Sequence, residues 1–169
     1  MAGFVPINGP VVADTVYCNN KLVARDVSAT LPEVTATTAD IQAMGTLSLP
    51  VWQLLEHMET AITKIGIDMG FASMIKPDMK TIELRWVQTV TDANGTTKNV
   101  GCKAFIKGIP NKIPGVGLEI GSATEGEVTL ATTRYNLFVG GKEVCLIDKL
   151  AGICRINGKD YAGGIKSLL

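Results

Sequence analysis

Nucleophilic chemistry is the first thing the residue types invite. The chain has four cysteines, Cys18, Cys102, Cys145 and Cys154, and a single histidine, His57. A thiol becomes a catalyst when an imidazole sits beside it, and the spacing identifies none of the four as that partner. The cysteines lie far apart and form no CxxC, so they read as reduced, buried thiols rather than as a disulfide framework or a zinc site. Glu56 and Glu59 would meet on a helix for acid–base work, but on a strand they point to opposite faces. Gly140-Gly141-Lys142 lacks the first glycine of a phosphate loop, and Glu143 stands where Ser or Thr would hold magnesium. A β-turn accounts for it, as it does for the sequon-like Asn94-Gly95-Thr96. The residues therefore point away from an enzyme, and no cofactor or metal is expected.

The whole chain sets the same bounds. It has 169 residues, 16 basic against 16 acidic, with 46% hydrophobic and 19% charged residues, and a mean hydropathy of +0.24. That is one domain's length with ample apolar content for a core, and it excludes a disordered chain. Zero formal charge argues against a protein that grips phosphate, and the scattered basic residues and few aromatics make no stacking platform for single-stranded nucleic acid. Residues 1–10 lack the basic and apolar regions of a signal peptide, and apolar runs elsewhere break well short of a membrane span. The expectation is a soluble product of a cytoplasm that does not itself bind membranes.

The elements that must position any site are mostly strands. Ile82, Leu84 and Trp86 alternate with Glu83, Arg85 and Val87, Asp92-Ala-Asn-Gly95 turns the chain, and Val100, Cys102, Ala104 and Ile106 alternate with Gly101, Lys103, Phe105 and Lys107. This predicts a long hairpin with one apolar and one charged face. A second hairpin is expected around Gly140-Gly141, with tight turns at Asn157-Gly158 and Asn19-Asn20. Gly3, Pro6, Gly9 and Pro10 predict a flexible arm over 1–14, followed by one domain over 15–169. Residues 35–46 are small, polar and without period, and read as a long loop. Between Val51 and Lys76 the pattern fits either a helix with Val51, Leu54, Leu55, Met58, Ile62 and Ile65 on one side, or a β-branched strand followed by a short helix capped by Asp68 and stopped by Pro77. A surplus of strand over catalytic residues leaves unpaired edges, which a self-assembling β protein would use and a small-ligand-binding barrel or sandwich would close within one chain.

The C-terminal third is more specific. Thr133-Arg-Tyr-Asn-Leu-Phe-Val-Gly-Gly-Lys-Glu-Val-Cys-Leu-Ile-Asp148 followed by Arg155-Ile-Asn-Gly-Lys-Asp160 resembles the end of the major tail tube proteins of contractile-tailed phages and R-type bacteriocins. In that family an aromatic-containing strand leads to a DGKE-like turn, a strand ending in Ile-Asp and an Ile-Asn-Gly-Asp-like hairpin. Val16-Tyr-Cys-Asn-Asn-Lys-Leu-Val-Ala-Arg-Asp-Val-Ser-Ala-Thr-Leu-Pro32 is similar to the opening hairpin, and Ala43-Met44-Gly45 with Pro50 to the family's Gly, Met and Pro loop. The first ten residues have no counterpart, Gly140 replaces a common Asp, and the family's longer basic C-terminal helix is absent.

The resemblance implies a mainly β, antiparallel barrel or sandwich with long hairpins and one short α-helix, and favours a strand over 58–65 and the helix over 68–75. It implies a structural subunit of hexameric rings stacked into the inner tube of a contractile tail, in a virion or a tail-like particle assembled in the bacterial host cytoplasm. The implied partners are the sheath outside, a baseplate initiator, and a tape-measure protein and double-stranded DNA in the lumen. Within that frame Ile41, Met44, Gly45, Leu47 and Leu49 are candidate inter-subunit contacts, because their apolar groups would otherwise be stranded on a loop. Glu83, Arg85, Lys103 and Lys107 are candidates for a face turned to the lumen or to an adjoining ring. The alternatives from the residues are a monomeric barrel or sandwich with a lined ligand pocket, and a Cys-dependent enzyme with His57 beside a thiol.

Overall fold

The computed structural model describes residues 3, 5–165 and 167–169, and its longest strand, β9 (Glu125–Val139), organises the rest. One edge of β9 is shared: residues up to Thr132 pair with β6 (Met58–Ile65), and those from Arg134 pair with β10 (Lys142–Asp148). The other edge takes β8 (Thr97–Pro110) from Leu130 onward. From β8 the sheet continues through β7 (Lys80–Thr91) and β1 (Ile7–Cys18) to β2 (Lys21–Arg25). All these pairings are antiparallel. Beyond β10 the sheet adds β11 (Ile153–Ile156) and the two-residue β12 (Lys159–Asp160).

The chain leaves β2 and forms β3 (Ser28–Thr30), which pairs with β6. The path β2, β1, β7, β8, β9, β6, β3 therefore comes back to its own start as a barrel with one seam. Alternation fills the inside with Val16, Ile62, Ile82, Leu84, Ile106, Val128 and Leu130, as a half-buried strand requires. The seam is covered by α1 (Met69–Ile75), which sends Phe71 and Met74 into the core. The Asp68 carboxylate caps this helix by accepting from Phe71 N–H at 2.9 Å, as an N-cap does.

Strand register also carries two lysines inward. Lys64 is buried on β6 beside Ile62, and its ammonium donates to Val23 C=O at 3.0 Å and to both Asp68 oxygens at 2.5 and 2.6 Å. It thus ties β6, β2 and the helix cap across the seam. Buried Lys80 pairs with Asp78 in the same way. The hydrogen bond from Lys64 is the main reason the Asp68 carboxyl is held below its ordinary range, and that from Lys80 does the same for Asp78. Cys18, Cys102 and Cys154 are buried and Cys145 is partly so; burial pushes all four thiols up.

Two expectations change, and one open alternative is decided. Of the arm expected over 1–14, residues 7–14 are strand: β1 begins at Ile7, which lies opposite Thr91 on β7, and residues 1, 2 and 4 lie outside the described residues. Gly9 and Pro10 interrupt the ladder only locally, where its register shifts between Asn8 and Val11, because a bulge tolerates residues that a regular ladder rejects. The loop over 35–46 is instead a hairpin, β4 (Ala36–Gln42) and β5 (Thr46–Leu55), turning through Met44 and Gly45 at φ 49° and 120°. Of the two readings left open for 51–76, the helix from Val51 is excluded, since β5 runs to Leu55 and β6 follows.

Three measurements check this packing. A Cβ at Gly126 would collide with the Phe71 ring, so Gly126→Ala should lower stability by about 1–3 kcal/mol, read as a lower Tm. Asp68 has a folded pKa below its unfolded one, so its contribution is complete above the unfolded value and disappears as pH falls through the folded one. Stability should therefore drop below about pH 4, and Asp68→Asn should flatten that part of the profile. Thiol titration of the folded chain at about pH 8 should show Cys18, Cys102 and Cys154 reacting only as fast as the protein opens; reaction on mixing would contradict their burial.

Candidate assembly surface

The β4–β5 arm stands apart from the barrel as a two-stranded sheet of its own. Its pairs sort by face: Ile41 opposite Leu47, Ala39 opposite Leu49 and Thr37 opposite Val51 on one side, with Gln42 opposite Thr46, Asp40 opposite Ser48 and Thr38 opposite Pro50 on the other. The first face is apolar and the second polar. Asp40 accepts a hydrogen bond from Ser48 Oγ on the polar side. Ile41, Leu47 and Leu49 remain 42–48% exposed, and Met44 at the tip is fully exposed. Such an isolated hairpin is marginal in water.

The arm is firmly held only at its base. Between the pairs Ala36–Leu55 and Thr37–Val51, residues 52–54 bulge out of the ladder. Trp52 from that bulge packs against the cluster of Met58, Ile147, Cys154 and Ala162. Lys149 Nζ adds a bond to Glu56 C=O at 2.9 Å. The structure thus brings Ile41, Met44, Gly45, Leu47 and Leu49 together on one projecting element.

The second group, Glu83, Arg85, Lys103 and Lys107, lies on one face of β7 and β8, the face turned away from the core. Arg85 and Lys103 are directly opposite, and Lys107 lies opposite both Thr81 and Arg134. Glu83 accepts from Arg85 Nε at 2.5 Å and strengthens that guanidinium's hold on its proton, while Arg85 also lies 4.7 Å over the Tyr17 ring. Phe105 and Phe138 meet edge to face at 5.8 Å. Further along the same sheet Arg155 forms a two-bond pair with Glu143, and Arg134 lies 3.9 Å from Asp148. Lys103 and Lys107 have no ion-pair partner among the described residues.

The residues first weighed for catalysis do not converge. His57 is exposed, with Nε2 4.0 Å from Glu59 Oε2, whereas Cys18, Cys145 and Cys154 sit in or against the two core clusters and Cys102 is buried on β8. Among the described residues no three His, Cys, Asp or Glu side chains gather as a metal site. A hollow of about 300 Å³ between β1, β3 and β7 is lined by Asp14, Val27, Leu31, Leu84 and Trp86, and its Asp14 carboxylate already accepts from Val27 N–H at 3.1 Å.

Residues 111–124, between β8 and β9, form a surface that was not anticipated. Ile113, Leu118 and Ile120 are 76–105% exposed. Their signal was present in Ile113-Pro-Gly-Val-Gly-Leu-Glu-Ile120, where apolar residues punctuate a Gly- and Pro-rich run, but such a run reads as a turn region. The cumulative effect is large. The chain exposes 10796 Å², whereas a compact monomer of 17.9 kDa exposes about 8,000 Å².

Comparison with known proteins gives this geometry its context. No curated protein matches the chain. Among solved structures, a chain of the cryo-EM structure of an extracellular contractile injection system, the PVC sheath-tube complex in its extended state, is similar at 14% identity and a TM-score of 0.54. The match covers 77% of this chain and 90% of that one, and at this identity it establishes likeness of fold. The sequence profile of phage tail tube protein FII matches residues 12–169, from within β1 to the last residue. A match over nearly the whole sequence, on an antiparallel β fold shared with a solved injection-system chain, identifies this chain as a member of the phage tail tube protein FII family.

Proposed function

We propose that the chain is a structural subunit of the inner tail tube of a contractile injection apparatus, in a phage tail or a tailocin. Copies form hexameric rings, and the rings stack into a hollow conduit with the sheath outside, a baseplate initiator at the start, and a tape-measure protein and, in a phage, double-stranded DNA inside. The site of action is the virion tail or tail-like particle. The observation that carries this reading is the surplus surface, about 2,800 Å² beyond a compact monomer, to which the arm contributes exposed Ile41, Met44, Leu47 and Leu49 and the 111–124 connection exposed Ile113, Leu118 and Ile120. An obligate interface removes about that much area.

Polymerisation supplies the mechanism, and no catalytic step is assigned. Head-to-tail contacts between unlike surfaces repeat without closing, which makes stacking open-ended until another component sets its length. Balanced charge suits passage of a polyanion, because a wall that bound many phosphates would retain it.

Light scattering across concentrations, with negative-stain microscopy of the same sample, tests the proposal. Rings or tubes, with mass in multiples of six chains or rising with concentration, are expected; a particle that remains at 17.9 kDa under assembly conditions favours the monomeric ligand-binding alternative. The double variant Ile41→Asp, Leu47→Asp should lose assembly while its Tm stays within a few degrees of the parent, because exposed positions contribute little to monomer stability.

A further inference from the structure

β1 is longer than the strand that covers it. β2 pairs with β1 only from Thr15 to Cys18, so from Ile7 to Asp14 that edge of β1 has no strand beside it among the described residues. β3, which pairs with β6 alone, lies across from this bare edge. Lys64 and α1 close the barrel seam beside Val23, but further along it the hollow of about 300 Å³ opens between β1, β3 and β7. It is a barrel mouth, one of the places where small-molecule sites form.

The wall of this mouth is mostly apolar: Leu84 and Trp86 from β7, with Val11, Val27 and Leu31. Leu84 belongs to the main core cluster and Trp86 packs against it. Strand register sets one charge into that wall, because partly buried Asp14 lies directly opposite Trp86, and side chains so opposed share a face with Cβ atoms about 4.5–5.5 Å apart. Val27 N–H donates to Asp14 Oδ1 at 3.1 Å, and no cationic side chain among the described residues pairs with the carboxylate. Arg85 borders the hollow, but its guanidinium is on the other face of β7, held by Glu83 and lying over the Tyr17 ring.

We propose that this mouth binds a small organic cation, a primary ammonium on a short chain that ends in an aromatic ring. The inference does not rest on the tail-tube reading. The ammonium lies between the Asp14 carboxylate and the Trp86 indole, whose face attracts a cation, and the ring lies against Val11, Val27 and Leu31. Ser28, at the exposed rim, can accept a further ammonium proton. Size fits this class, since a cavity of about 150 Å³ holds benzene and the mouth offers about twice that. Charge excludes the others. An anion would be repelled by Asp14, a neutral body would strip water from the carboxylate without replacing it, and a metal ion would find no group of three ligating side chains among the described residues.

Calorimetric titration of the full chain with 2-phenylethylammonium tests this, with a Kd between about 10 μM and 1 mM expected for a ligand of that size. Neutral 2-phenylethanol should bind at least about tenfold more weakly and 3-phenylpropionate not measurably. Asp14→Asn keeps an oxygen for Val27 N–H, so it should weaken the cation by about tenfold or more while the alcohol's affinity is unchanged and Tm stays within a few degrees. Hydrogen exchange should show residues 11–14 and 27–31 protected together by the cation. Equal affinity for cation and alcohol, protection confined to other residues, or neither heat nor protection at about 10 mM cation overturns the proposal. Should Asp14→Asn fail to fold, the comparison of the three compounds on the wild-type chain decides. Each of these outcomes leaves the tube reading where light scattering and microscopy put it.

Discussion

Each residue of β9 has backbone groups to satisfy on two edges, and the chain meets that demand on one edge with two different strands. β6 covers it as far as Thr132 and β10 takes over at Arg134. Thr133 lies at the handover, and on the opposite edge the register with β8 slips there too, with Lys107 opposite Arg134 but Gly108 opposite Thr132. The extra residue is satisfied locally: Thr133 C=O accepts from Lys149 N–H at 3.0 Å, and its Oγ1 donates to Lys107 C=O at 3.2 Å. Gly108 is needed because a Cβ there would press on Ala131 C=O at 2.7 Å. A bulge bends and twists its strand, so this one place separates the part of the sheet that curls into the barrel from the part that continues to β10, β11 and β12.

That division sets where the subunit can be stable alone and where it cannot. The curled half encloses its own core and closes its seam with Lys64, Asp68 and α1. A buried ammonium is costly unless every proton finds an acceptor, and Lys64 finds three, two carboxylate oxygens and a carbonyl. The seam is therefore a position where the chain has to adopt one arrangement. The arm has no such constraint beyond Trp52 at its base. Its ordering entropy is offset by little burial until something covers it, which ties the definition of the arm to association.

How much was legible in the residues follows from how much burial marks them. The β7–β8 hairpin could be read because Ile82, Leu84, Cys102, Ala104 and Ile106 are buried and impose alternation, and Asp92 closes its turn with bonds to the N–H groups of Asn94 and Thr96. The cap at Asp68 was readable for the same reason that it works, a carboxylate three residues before an orphan N–H. β4 could not be read as a strand: most of it is exposed on both faces, so Thr37, Ala39 and Ile41 differ too little from Thr38, Asp40 and Gln42 to display a period of two. β1 was hidden by Gly9 and Pro10, whose local preference yields to pairing with β7. The apolar contact candidates were identifiable because stranded Ile and Leu are conspicuous in a polar run. The exposed apolar residues at 113–120 were not, because glycine and proline there suggest only a turn.

The charged face and the apolar arm differ in the forces they can exert on a partner. On the sheet face Glu83 pairs with Arg85 and Glu143 with Arg155, while Lys103 and Lys107 are left without an ion-pair partner among the described residues, so the face keeps a small positive excess whose reach salt shortens. Apolar contact, by contrast, is short-ranged and indifferent to ionic strength to first order. Exposed apolar area and unpaired charge thus lie on different elements of this chain, the first on the arm and the 111–124 connection and the second on the β7–β8 face, so each can be altered without disturbing the other.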